Sequence, residues 1–143
     1  MSGLARDHHP GLNPRMPPPR YRVAAPPSRP LVLFDGDCRF CRRWAAQWEQ
    51  DFAGRLEVAS SQVARVNFPE IPAAAYDEAL QLVEPDGAVY SGARAALRAL
   101  AHGHGHRGFW LRCHESVPGA AGLLEFGYRI VARNRRIFSM LIR

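Results

Sequence analysis

The sequence predicts a single α/β domain ordered as strand, helix, strand, hairpin and C-terminal helices. Three observations carry that prediction. Leu31-Val32-Leu33-Phe34 is an unbroken apolar run, the mark of a strand buried on both faces. Helical periodicity then runs from Cys38 to about Phe52. Further on, Leu80 to Glu84 and Ala88 to Ser91 flank Pro85-Asp86-Gly87. There proline presets a turn and glycine supplies a positive φ, so the stretch reads as a hairpin. At 143 residues the chain has room for one domain and too little for two ordinary ones.

Residues 1–30 hold eight of the twelve prolines, five arginines and one acid. They read as a disordered, partly extended tail, with a targeting arm or a start codon called too early as open alternatives. Order is expected from Leu31, giving a domain over 31–143. Asp35-Gly36-Asp37 is a turn, and Asp37 is a good helix N-cap. Phe40, Cys41, Trp44, Ala45, Trp48 and Phe52 share one broad helical face, and both tryptophans read as core. Leu56, Val58 and Ser60 alternate with Glu57 and Ala59, a second strand that completes a βαβ unit with a right-handed crossover. Pro69 and Pro72 break the stretch 61–79, leaving a short helix near 73–78. Ala93 to Ala101 reads as a small helix with Ala93, Leu97 and Leu100 on one side, followed by a loop over His102 to Gly108. Ala120 to Ile142 reads as one or two amphipathic helices, with Leu124, Tyr128, Val131, Phe138 and Leu141 inward.

Composition narrows the function classes. All 19 cationic side chains are arginine. The absence of lysine excludes Schiff-base chemistry and the Walker-A phosphate loop. No run approaches the ~18 apolar residues of a membrane span, and the N-terminus has no apolar signal-peptide region. The expected compartment is therefore the reducing cytoplasm, where a close cysteine pair is more often catalytic or metal-binding than structural. A sequence pI near 10 points first to nucleic acid or an anionic surface. The charge, however, sits at the ends. Residues 129–143 carry five arginines and no acid, whereas residues 31–128 carry nine arginines against twelve acids. This leaves weak anionic-surface contact through the ends and no specific nucleic-acid reading.

Cys38 and Cys41 form C-x-x-C at the start of the first helix. Residues i and i+3 lie one turn apart, within the Cα separation a disulfide needs. A sulfur in the first turn points at unpaired backbone N–H groups, which together with the helix dipole favour the thiolate and lower its pKa. Arg39, Arg42 and Arg43 add positive charge, and Asp35 and Asp37 oppose it, so a modest depression is expected. Cys41, one turn further in, is the expected resolving thiol and the more buried of the two.

The order βα(C-x-x-C)β, hairpin, helix matches the thioredoxin-like arrangement. The segment LVLFDGDCRFCRRW resembles the opening of the DCC family of thiol-disulfide oxidoreductases, named for Asp-x-x-Cys-x-x-Cys, here Asp35, Cys38 and Cys41. EPDGAVYSGARAALRAL is similar to that family's hairpin and following helix, and YRIVARNRRIF to its arginine-rich tail. The resemblance implies a thioredoxin-like fold and dithiol redox activity, without naming a substrate. It gives Asp35 one functional role, taking a proton from Cys41. A strand-end carboxylate bonding turn amides is the alternative. Two departures from better-known thioredoxin relatives stand out. Asp37 replaces the tryptophan before the first cysteine, and the nearest proline to the third strand is Pro72, not one directly before Leu80.

Other readings compete. Cys38, Cys41, Cys113 and His114 could form a Cys3His zinc site, although adjacent Cys113-His114 chelate awkwardly. A c-type haem needs histidine where Arg42 stands. Asp35-Gly36-Asp37 mimics a phosphatase D-x-D, but the chain has no lysine partner and no later paired acids. His102, His104 and His106 read as a solvated loop, Cys113 as a lone thiol, and the terminal arginines as a solvated face or ion-pair partners. The preferred reading is a protein-disulfide reductase-like thiol-disulfide oxidoreductase. Cys38 attacks a substrate disulfide and Cys41 resolves the mixed disulfide. It needs no organic cofactor and no metal. Its partners are a disulfide-containing protein or small thiol substrate and an external reductant. The alternative is a zinc-binding or anionic-partner-binding module with structural cysteines.

Overall fold

A computed structural model describes residues 18–52, 54–102 and 119–134. The elements are β1 (Tyr21–Arg22), β2 (Leu31–Phe34), α1 (Arg39–Phe52), β3 (Glu57–Ser60), α2 (Ser61–Ala64) and a 3-10 turn (Arg65–Asn67). They continue with α3 (Ala73–Glu78), β4 (Gln81–Val83), β5 (Ala88–Ser91), α4 (Gly92–Ala101) and α5 (Ala120–Arg133). One mixed sheet takes the strands in the order β1-β5-β4-β2-β3. β2 pairs parallel with β3 and antiparallel with β4, and β4 pairs antiparallel with β5. This is the thioredoxin-like α/β arrangement expected from the element order.

The apolar run of β2 is central because both of its edges are paired. Its side chains alternate between two cores. Val32 joins Leu82 and Tyr90 beneath Phe52, Leu56, Ala95 and Ala99. Leu33 joins Val83 and Val89 beneath Ala64, Phe68, Ile71, Ala75 and Tyr76. One layer is thus α1 with α4, and the other is α2 with α3. The hairpin closes as its sequence requires: Glu84 N–H donates to Ala88 O, and Gly87 sits at φ +82°, where a side chain would be strained.

Several expectations need correction. Order begins before Leu31: Tyr21 and Arg22 pair with Val89 and Ala88, and Val23 is buried. An edge strand can recruit a short extended tail because its backbone groups offer ready partners. Residues 1–17 lie outside the described residues. On α4, Ala93 is buried and Leu100 packs against the core as expected, but Ala95 and Ala99 join the buried face and Leu97 is only partly covered. The small residues let α4 approach the sheet. His102 is not a solvated loop residue. Its Nε2 lies 3.0 Å from Glu84 Oε2, and Arg98 Nε lies 3.4 Å from the same buried carboxylate. Arg94 and Arg98 both stack over Tyr90, at 4.7 and 4.1 Å. His104, His106, Cys113, His114, Phe138 and Leu141 lie outside the described residues. Leu124, Tyr128 and Val131 are partly buried, as the amphipathic reading expects.

α5 docks against α4. Ala93 N–H donates to Glu125 Oε2 (3.2 Å), and Leu80 N–H donates to the Tyr128 hydroxyl (3.0 Å). Among the described residues no helix is long and apolar enough to cross a membrane.

Candidate active site

The turn after β2 carries the chain from the sheet into α1 and delivers both cysteines. Cys38 N–H donates to Asp35 O (3.2 Å), closing the turn. Cys38 immediately precedes α1, and Cys41 N–H, three residues on, donates to Cys38 Sγ (3.2 Å). That is the position and bond of an N-cap, with sulfur in place of the usual oxygen. Asp37 therefore does not cap the helix. Its carboxylate instead lies 3.4 Å from Gln62 Nε2. The register explains the correction, because α1 starts one residue later than an Asp37 cap requires.

Cys38 and Cys41 are joined as a disulfide with their Cα atoms 5.2 Å apart. Both are partly buried, so the expected contrast in burial is not drawn at that level. Cys38 Sγ stands where the helix dipole and the first-turn amides favour a negative sulfur.

Gln62, from α2, organises the turn. Its Nε2 donates to Asp35 Oδ1 (2.9 Å), and its Oε1 accepts from Gly36 N–H (2.9 Å). Asp37 N–H also donates to Asp35 Oδ1 (3.0 Å), and Arg42 Nη1 donates to Gly36 O (3.0 Å). Gly36 fits because a Cβ there would stand 2.8 Å from both Gln62 Oε1 and Ser60 Cβ. Asp35 thus bonds one turn amide and the Gln62 side chain, and it also borders a cleft beside the disulfide. Sequence reasoning missed Gln62. It lies 27 residues from Asp35, and nothing in a lone glutamine marks such a contact.

A cleft of about 360 Å³ opens beside the disulfide. Cys41 and Asp35 form part of its wall, with Phe40, Trp44 and Trp48 of α1. Ala96 and Leu100 of α4 and Tyr128 and Val131 of α5 close the other sides. Trp44 is 49% exposed, so the expectation that it belongs to the core fails. It packs edge-on against Phe40, with ring centroids 6.1 Å apart. Trp48 is partly buried and meets Phe52 in the same edge-on manner. The sequence signal was the shared helical face of Phe40, Cys41, Trp44 and Trp48, which marks a cleft wall as readily as a core stripe.

Leu80, which immediately precedes β4 and forms part of the cleft wall, has both backbone groups bonded. Leu80 N–H is held by Tyr128, and Leu80 O accepts from Gly92 N–H (2.9 Å). Among the described residues no three His, Cys, Asp or Glu side chains cluster as metal ligands; Cys113 and His114 lie outside them.

No curated protein and no solved structure matches this chain. One family does, described as DCC1-like thiol-disulfide oxidoreductase, over residues 32–140. That span runs from Val32 in β2 through α5 and includes both cysteines of the C-x-x-C pair, and by it the chain belongs to the DCC1-like thiol-disulfide oxidoreductase family.

Proposed function

We propose that the protein is a disulfide reductase whose working dithiol is Cys38 and Cys41. The observation that carries this reading is the pair itself, closed across the first turn of α1 with Cys38 Sγ accepting the Cys41 amide. In the reduced protein Cys38, as thiolate, attacks a substrate disulfide. One substrate thiol leaves, taking a proton, and a mixed disulfide forms at Cys38. Cys41 then attacks Cys38 Sγ, releases the second substrate thiol and leaves Cys38–Cys41 oxidised. An external dithiol reductant restores the pair. The rate follows the thiolate fraction at Cys38 and the basicity of the leaving thiol.

Asp35 is assigned the proton from Cys41 in the second step. Support comes from its place in the same cleft wall as Cys41 and from the fixed orientation Gln62 imposes. The same hydrogen bonds also serve the turn, so Asp35→Asn separates the two roles: a slowed resolution step with an unchanged unfolding midpoint supports proton transfer.

The test is dithiothreitol-driven reduction of insulin. Cys38→Ser loses the activity, and Cys41→Ser accumulates a covalent mixed disulfide visible on a non-reducing gel. Equal rates for the wild type and Cys38→Ser reject the assigned nucleophile.

A further inference from the structure

The cleft beside Cys41 has a chemistry that narrows the substrate. We infer that it receives an apolar side chain flanking the disulfide of a peptide substrate, aromatic or large aliphatic, and so selects disulfides set in apolar sequence. This rests on the exchange reading above and specifies its substrate class.

Position comes first. Cys41 is part of the cleft wall and is bonded to Cys38, so an occupant lies beside the sulfur that Cys38 attacks. A group one residue from the substrate cysteine reaches that space without moving the backbone.

Lining chemistry comes second. The wall is built from Phe34, Phe40, Trp44, Trp48, Leu100 and Val131, among other apolar residues. The polar atoms on this wall are few: the Asp35 carboxylate, the Tyr128 hydroxyl and the indole N–H groups of Trp44 and Trp48. Asp35 Oδ1 accepts from Gln62 and from Asp37 N–H, and the Tyr128 hydroxyl accepts from Leu80 N–H. A polar occupant would lose its water here against a wall that is mainly apolar, a cost that selects against it.

Size comes third. A cavity of about 150 Å³ holds a benzene ring. At about 360 Å³ this cleft has room for an indole or a branched aliphatic group.

The peptide backbone at the cleft comes fourth. Leu80 N–H and O, immediately before β4, are bonded to Tyr128 and Gly92. A substrate strand cannot pair with Leu80 while those bonds hold. Recognition there therefore falls to a side chain.

The experiment compares two symmetric tripeptide disulfides, identical except for the residue after cysteine, tryptophan in one and serine in the other. Full-length reduced protein is mixed with each, and kcat/KM is measured. The tryptophan peptide should be favoured about 10- to 100-fold, the range an apolar pocket gives. Ala96→Phe fills the cleft and should cut that preference at least fivefold. Trp44→Ala removes a half-exposed wall residue and should cut it too, which covers the case in which Ala96→Phe fails to fold. Val63→Ser, which removes an exposed apolar side chain on α2, should leave the preference intact. Equal kcat/KM for the two peptides in the wild type overturns the inference. So does a preference that survives both cleft variants. Turnover of neither peptide, with insulin still reduced, overturns it as well. If insulin is not reduced either, the exchange reading itself fails, and the selectivity with it.

Discussion

The two faces of the sheet are built from similar apolar residues and are packed differently. On the α2–α3 face, Leu33, Val83 and Val89 meet Phe68, Ile71, Ala75 and Tyr76 in one buried cluster. Its buried polar group, Gln81, is fully bonded. Gln81 Nε2 donates to Ala75 O (2.7 Å) and Ala79 O (2.8 Å), and its Oε1 accepts from Ser91 Oγ. The α1–α4 face is packed around Phe52, Ala95 and Ala99, but toward the end of β2 it gives way to the cleft between α1, α4 and α5. The disulfide borders that open end. One face spends its apolar area on stability, and the other forgoes part of that gain where the cysteines are.

The largest effect should come from breaking the closed face. Phe68 is 4% exposed, and Phe68→Ala should cost about 3–5 kcal/mol, the usual range for an aromatic lost from a core. Trp44→Ala, at the open cleft, should cost only about 1 kcal/mol, because half of that ring already meets solvent. Urea midpoints of the two variants measure the contrast directly. Similar losses for both would mean that the cleft wall is core after all.

Next in size is Gln81→Leu. The leucine fits an apolar site but leaves the carbonyls of Ala75 and Ala79 and the Ser91 hydroxyl without their partner. A loss of about 2–3 kcal/mol is expected, with insulin reduction by the surviving folded protein unchanged. A neutral outcome would show that water replaces the amide there.

Gln62→Ala tests the turn that joins the faces, since α2 belongs to one layer and Asp35 borders the cleft of the other. It removes the bonds to Asp35 Oδ1 and Gly36 N–H on a partly exposed turn. Stability should fall by about 1 kcal/mol, and the exchange rate by a few fold as Asp35 loses its orientation. An unchanged rate with reduced stability would confine Gln62 to folding.

What the sequence revealed follows from the range of each interaction. β2, α1 and the hairpin were legible because their signals are local: a run, a period and a Pro-Asp-Gly turn. Cys38 and Cys41 were legible for the same reason. β1 was not, because a two-residue strand in a proline-rich tail exists only through pairing with β5, some 66 residues away. The cleft was half legible. Helical spacing put Phe40, Cys41, Trp44 and Trp48 on one face, but whether that face is covered depends on where α5 lies. Gln62 and Gln81 carried no signal, since a glutamine's role is fixed by what folds against it.

The smallest expected effect separates the faces by pH. Burial of Tyr76 on the closed face pushes its phenol above the ordinary value of 10.0, and nearby Glu70 adds to this against the opposing charge of Arg65. Below pH 10 the phenol keeps its proton in both the folded and the unfolded chain, so its contribution to stability is complete there. As pH rises past 10 the unfolded chain releases its proton first, and stability declines until pH passes the raised folded-state value. Tyr76→Phe removes this decline. It also removes a long hydrogen bond from the hydroxyl to Phe68 O (3.4 Å), so at pH 8 it should cost under about 1 kcal/mol. Chemical denaturation at pH 8 and at pH 11 should show a smaller alkaline loss for Tyr76→Phe than for the wild type. Equal losses would mean that the phenol ionises with its usual ease in the fold, and that the α2–α3 face is less tightly closed than its packing indicates.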